Sequence, residues 1–319
     1  MKEITVALGG GGAKGAAHIG VLRVLEREGF KIRAIAGTSA GGLWGAFYAA
    51  GFSPDEIERR MNAVDRTTLY QRRPGDGPAM LGLAGVEMLV RTNLEDCSFS
   101  DLRIPFAVTA VDLDTAEPVI IQEGNVADAV LATIAVPGIF PPRRWGNRLL
   151  IDGGVLDPVP VALARRLAPG LPVVAVVLSP PVKEWVTPSP PRLLASLPFI
   201  SGYLSRMRLA QAFNIFLRSV DIAGAMLTDL RLEMEQPEVI IRPPVPHIGL
   251  LDDVEISEVT RLGEEGAIKA LPQLHRAVSW LSRVTRRIPG SRRPIPVNFP
   301  YWRDGYAIVT GEQPQANGR

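Results

Sequence analysis

Ile4-Thr5-Val6-Ala7-Leu8-Gly9-Gly10-Gly11-Gly12-Ala13-Lys14-Gly15 opens the chain with a short β-branched run that stops on four glycines. A run of this length and composition reads as a buried strand. Lys14 to Glu28 then reads as a helix, with Ala17, Val21, Leu22 and Leu25 at helical spacing and Gly29 as its stop. Ile32–Ala36 is a second strand, and Ala40–Ala50 is an almost wholly apolar helix ending at Gly51. A helix apolar on every side is a buried one. Strand, helix, strand, helix in so few residues implies parallel strands joined by right-handed crossovers, hence an α/β class.

Further strands are expected at Phe106–Asp112, Val119–Gln122, Leu149–Asp152 and Val173–Leu178. Residues 66–98 are punctuated by Arg72-Arg73-Pro74-Gly75-Asp76-Gly77-Pro78 and read as a loop with one short helix. That excursion is either a lid over a pocket or an ordinary surface loop. Pro180–Pro191 holds five prolines and reads as a connector. Beyond it Leu209, Phe213, Phe216, Val220, Ala223, Leu227, Leu230 and Met234 alternate spacings of four and three, giving one long amphipathic helix over 203–235. Its seam suits packing on the core or a coiled-coil homodimer. Two more helices are expected, over Val254–Ala270 and Gln273–Arg286. The resulting division is a catalytic core at 4–165, the rest of the α/β domain with its helical extension at 166–287, and a Pro/Arg-rich tail at 288–319.

Composition narrows the function classes. The 319 residues are 46% hydrophobic, enough for a large core, and the formal net charge of +2 carries no signature of nucleic-acid binding. The single Cys97 cannot form an internal disulfide, in keeping with a reducing cytoplasm. MKEITVALGG has too short an apolar run for a signal peptide, and no apolar stretch reaches the ~18 residues of a spanning helix. Membrane contact, if made, is peripheral. Arg283, Arg286, Arg287, Arg292 and Arg293 with Phe299, Tyr301 and Trp302 read either as a dock for an anionic membrane surface or as a solvated tail.

Three glycine-rich stretches carry the chemistry. Gly10 to Gly15 has the spacing of a dinucleotide fingerprint, but the second strand ends in Ala36-Gly37-Thr38-Ser39 with no acid for a ribose. A P-loop would need Ser or Thr after the lysine, and Lys14 is followed by Gly15. The same geometry serves as an oxyanion hole, with backbone N–H groups of Gly10, Gly11 and Gly12 at a helix N-terminus. Lys14 either adds positive potential or is solvated at the loop edge. Gly37-Thr38-Ser39-Ala40-Gly41 places Ser39 between a buried strand and a buried helix, the setting of a nucleophile elbow. Asp152 ends an apolar strand and is followed by Gly153 and Gly154, and it is the candidate base. Asp112, Asp114 and Asp157 compete with it. His18, on the turn after the glycine loop, reads as a packing or helix contact, and neither His247 nor His275 has the setting of a catalytic base. The arrangement is a Ser–Asp pair for acyl transfer.

GGGGAKGAAHIGVL (9–22), GTSAGG (37–42), ATIAVPGIFPP (132–142) and IDGGVLDPVPV (151–161) occur in the order and spacing of the bacterial patatin-like phospholipases, which this chain resembles. IIRPPVPHIGLLD (240–252) resembles that family's later signature, and the resemblance covers roughly 4–270. It implies a three-layer α/β fold with a mainly parallel central sheet flanked by helices and a helical C-terminal extension. It implies, too, a lipid acyl ester hydrolase with no metal or cofactor, Ser39 as nucleophile, Asp152 as base and the Gly10–Gly15 loop as oxyanion hole. Gly15, Gly37, Gly41, Gly153 and Gly154 support the motifs, and Pro137 shapes a turn beside the site. Asp157 stands where the family often has asparagine. An acyltransferase would use the same acyl-enzyme, and a non-catalytic anion binder would leave Ser39 and Asp152 without a role.

Overall fold

The computed structural model describes residues 2–94, 96–184, 203–279 and 307–308. The expected arginine and aromatic run at 283–302 lies outside the described residues, as does most of the proline connector. The first strand, β1 (Lys2–Leu8), leads through a 3-10 turn at Gly12–Ala16 into α1 (Ala17–Arg27), so the helix begins three residues later than its apolar spacing suggests. β2 (Phe30–Gly37) and α2 (Ala40–Ala49) follow, then α3 (Pro54–Asn62) and α4 (Ala84–Leu94). The sequence reading passed over α3, although Ser53 caps it and Pro54 opens it. Next come β3 (Phe106–Asp112), β4 (Pro118–Ile121), α5 (Val126–Thr133), β5 (Arg143–Trp145), β6 (Arg148–Asp152), α6 (Val161–Leu167) and β7 (Val173–Val176). The second half holds α7 (Tyr203–Glu235), β8 (Val239–Ile241), α8 (Ile256–Ala277) and β9 (Ala307–Ile308).

The nine strands among the described residues belong to one mixed, mostly parallel sheet. β8, β7, β1, β2 and β3 lie side by side in parallel. The pairings of β3 position the site. Ala110 pairs with both Val119 and Asp152, and Val108 pairs with both Gly37 and Ile121. β4 therefore takes one edge of β3, while β2 and β6 share the other, end to end and running toward each other. The loop after Gly37 and the turn after Asp152 are thus brought together by register alone.

The sheet is covered on both faces, which is why its central strands are apolar at successive positions. Ile4, Val6 and Leu8 point into the larger core with α1, α2, α5 and α8. Ala7, Ala36 and Ala107 point the other way, against Val161, Leu163 and Ala164 of α6 and Leu232 of α7. Three layers result.

Two expectations about the helices need correction. The region 254–286 does not break at Pro272: α8 runs through it. Proline removes one backbone donor, but Val259, Leu262, Ala267, Ala270, Leu274 and Ala277 keep one buried face across it. Among the described side chains of α7 the buried positions are Ala225, Thr228, Arg231, Leu232 and Glu235, beside the expected seam and not on it. The seam residues Val220, Ala223 and Leu227 border a cavity instead. Among the described residues no helix is long and apolar enough to cross a membrane.

Candidate active site

Ser39 stands on the turn between β2 and α2 with φ 52° and ψ −123°, a backbone that residues with a side chain rarely adopt. Strain of this kind persists only where its surroundings enforce it. Thr38 on one side bonds Thr109 Oγ1 at 2.7 Å and donates to the Asp157 carbonyl at 2.8 Å. The Ser39 N–H donates to Thr133 Oγ1 at 2.9 Å. A Cβ at Gly41 would lie 2.0 Å from the Leu8 carbonyl oxygen, so only glycine lets α2 start this close to β1.

The Ser39 hydroxyl donates to Asp152 Oδ2 at 2.5 Å. The other carboxylate oxygen, Oδ1, accepts the Gly154 N–H at 2.7 Å, which fixes the carboxyl plane. The Asp152 N–H in turn donates to the Ala135 carbonyl at 2.9 Å. Burial pushes the Asp152 carboxyl up to about 6, against the opposing pull of its bonds from Ser39 and Gly154. The carboxylate is still ionised at neutral pH, yet far more basic than a solvated aspartate. It can take a proton from a serine.

Gly10 is corrected as an oxyanion donor. Its N–H donates to the Pro158 carbonyl at 2.9 Å, just as the Gly9 N–H donates to Val176. Gly11 and Gly12 follow with N–H groups that meet no acceptor among the described residues. Gly12 has φ +57°, and a Cβ there would sit 2.1 Å from the Leu250 carbonyl oxygen. The loop is anchored by its first glycines and open at its later ones.

The histidines stand apart from the pair. His18 is fully buried and its Nε2–H donates to the Gly9 carbonyl at 2.7 Å, so it holds the glycine loop from behind. Burial presses its pKa down to about 4, and the ring is neutral. His275 packs on the Phe30 ring from α8, and His247 is exposed. Among the competing carboxylates, Asp112 pairs with Arg148 at 3.0 Å. Asp157 pairs with Arg231 of α7 at 2.9 Å, and Arg231 also meets Glu235 at 2.6 Å. The extra charge at 157 is therefore bound into a buried ion cluster tying α7 to the turn after Asp152, and does not reach the cavity beside the serine.

Of the expected residues, Ser39, Asp152, Gly10, Gly11, Gly154 and Pro137 line one cavity, and Gly12 lines a second. Gly15, Gly37 and Gly153 lie against Trp44, Gly42 and Thr109, where a Cβ would clash, and so serve packing. Residues 132–142 do pack beside the site, through Thr133, Val136 and Pro137. Sequence reasoning missed Thr133, Thr109 and Arg231. Thr133 lies inside a stretch flagged as bordering the site, whereas Thr109 and Arg231 carried no local signal. Lys14 and Asp221 also face the first cavity and attract each other there. Burial holds the lysine below its ordinary range and the aspartate above its own.

Comparison with known proteins gives a consistent result. The profile of the patatin-like phospholipase family matches residues 6–165, half of the chain. An uncharacterized NTE family protein of Mycobacterium tuberculosis is 37% identical over 163 residues, covering 50% of this chain and 45% of that protein. A second from the same organism is 30% identical over 297 residues, covering 86% of this chain and 48% of its own length. The chain thus matches less than half of either relative. VipD from Legionella pneumophila has a similar fold, with TM-score 0.51 at 12% identity over 86% of this chain and 66% of that one.

Proposed function

Because the chain belongs to the patatin-like phospholipase family, we propose that it is a serine hydrolase of lipid acyl esters working through Ser39 and Asp152. One observation carries this reading: a serine on a strained, positive-φ turn donates a 2.5 Å hydrogen bond to a buried carboxylate whose basicity is raised. A hydroxyl that merely capped α2 would bond the helix N–H groups, and Ser39 makes no such bond.

The steps follow from the placement of the groups. Ser39 Oγ attacks the ester carbonyl carbon as its proton passes to Asp152 Oδ2. The carbonyl oxygen becomes an oxyanion and receives the N–H groups of Gly11 and Gly12. Collapse breaks the bond to the alcohol, which leaves with the proton from Asp152, and the acyl group stays on Ser39. Water then attacks the acyl-enzyme and gives its proton to Asp152, and collapse breaks the bond to Ser39 Oγ, which takes that proton back as the fatty acid leaves. Thr133, Thr38 and Thr109 hold the elbow still through both halves of the cycle.

Labelling with a fluorophosphonate probe tests the reading. Wild type should be modified at Ser39, and Ser39→Ala should take up no label and lose several orders of magnitude in ester turnover. A folded Ser39→Ala protein retaining more than about a tenth of wild-type turnover would remove Ser39 from the nucleophile's role.

A further inference from the structure

Ser39, Val136 and Leu250 stand between two cavities, one on each side of the serine. The first, about 460 Å3, runs from Asp152 and Gly11 along one face of α7 past Phe216, Val220 and Leu227. The second, about 300 Å3, is walled by Trp44, Met61, Tyr70, Leu83, Leu89 and Phe140. Both fall within the roughly 300–1,000 Å3 of ligand pockets. The glycine loop straddles the divide, with Gly11 on the first cavity and Gly12 on the second. A carbonyl whose oxygen lies between those two N–H groups has apolar space on both sides.

An ester extends from its carbonyl in two directions, the acyl arm and the alcohol arm. Asp152 must hand its proton to the departing alcohol, so the alcohol arm lies on the side of Asp152, which lines the first cavity alone. The acyl arm is left with the second. Its charges are Arg66, Asp252 and Asp253: Arg66 pairs with Asp253 at 2.9 Å, Asp252 accepts the Gly249 N–H at 2.7 Å, and the walls are otherwise largely apolar. The first cavity joins the apolar face of α7 to the Lys14 and Asp221 charges, so it suits an alcohol arm with both a chain and a polar group. A lipid with one chain would leave one apolar cavity unfilled and forgo that burial.

We propose that the site takes an ester lipid with two long chains, the scissile acyl chain in the second cavity and the chain borne by the alcohol in the first. The proposal rests on the serine-hydrolase reading above. It makes Gly224 of α7 a specificity residue. This glycine lines the first cavity, and a Cβ added there meets nothing within 4 Å. Its missing side chain is the room the second chain occupies.

The test compares dioctanoylphosphatidylcholine with 1-octanoyl-lysophosphatidylcholine, and p-nitrophenyl butyrate with the laurate. Wild type should favour the two-chain lipid in kcat/KM. Gly224→Phe should cut the two-chain to one-chain ratio by on the order of tenfold or more, with the laurate-to-butyrate ratio unmoved. Leu89→Trp, which narrows the second cavity, should instead cut the laurate-to-butyrate ratio by a similar factor. A Gly224→Phe enzyme that loses laurate relative to butyrate would put the acyl chain in the first cavity and overturn the assignment. A wild type that prefers the one-chain lipid would overturn the substrate class. Fluorophosphonate labelling and melting temperature are read on each variant. A folded wild type with no label at Ser39 fails the hydrolase reading itself, whereas normal labelling with the wrong selectivity fails only this proposal.

Discussion

Replacing Asp152 by asparagine should destroy activity and, above neutral pH, make the protein more stable. The carboxyl is pushed by burial from its ordinary 3.8 up to about 6. Between those two values the folded protein holds a proton that the unfolded chain has released, so raising the pH favours unfolding. The penalty is absent below 3.8, is about half developed by pH 5, and is complete above the folded value of about 6. At 1.36 kcal/mol per pH unit the distance from 3.8 to about 6 corresponds to about 3 kcal/mol. Asparagine has no charge to bury, and its carbonyl oxygen can still accept the Gly154 N–H that now meets Oδ1 at 2.7 Å. Asp152→Asn should therefore match wild type near pH 4 and exceed it at pH 8 by up to about 3 kcal/mol, on the order of 5 °C in Tm. Urea unfolding followed by circular dichroism at pH 4, 5 and 8 gives the three points. In parallel, wild-type kcat/KM should rise through a pKa near 6, while the variant stays about a thousandfold or more below it at every pH. A stability difference of the same size at pH 4 and pH 8, or a wild type that stays the more stable at pH 8, would refute the reasoning.

Gly12→Ala forces a Cβ to within 2.1 Å of the Leu250 carbonyl at φ +57°, and should lower turnover on the order of a hundredfold with less effect on KM. Unchanged turnover in a folded variant would show that Gly12 serves only the turn. His18→Gln retains a donor for the Gly9 carbonyl, and should keep kcat within about tenfold of wild type without moving the activity pKa. A folded His18→Gln as inactive as Asp152→Asn would make the histidine the base. Arg231→Met leaves Asp157 and Glu235 facing each other without their cation, and should cost about 3–5 kcal/mol at pH 8. The loss should shrink at pH 5, because the Glu235 carboxyl, already raised by burial and by Asp157, takes up a proton there. An equal loss at both pH values would argue against that charge origin.

The glycine loop, the elbow and the turn after Asp152 were legible because chemistry at a strand end admits few residue types. Close backbone approach demands glycine, and a nucleophile needs a hydroxyl on a sharp turn. Gly10 shows where such reading stops. Three glycines in a row look equivalent, and only the Pro158 carbonyl, far along the chain, takes one of their N–H groups out of use. Arg231 was illegible for a similar reason: an arginine in a long amphipathic helix looks solvated, and its partner Asp157 lies in another motif. The expected seam of α7 marked real apolar residues but assigned them to packing, when Val220 and Leu227 border the cavity. Periodicity reports which face avoids water and does not say whether a core, a partner or a substrate covers it. Pro272 misled for the opposite cause, since a strong local breaker is overruled by the buried face on either side of it.

The pairing of β1 bears on how this chain can be cut and grafted. The family match ends at 165, yet β1 has β2 on one edge and β7, at 173–176, on the other. A fragment stopped at 165 keeps Ser39, Asp152 and the glycine loop but bares the edge of β1 from Thr5 to Leu8, where Val6, Ala7 and Leu8 make both faces apolar. An exposed edge of that kind is a template for pairing with another copy. The same cut removes the Val176 carbonyl that holds Gly9 and the Leu250 carbonyl that holds Ala13. The catalytic motifs travel in the first half of the chain, but the smallest piece that can be transplanted between longer proteins must reach through α8.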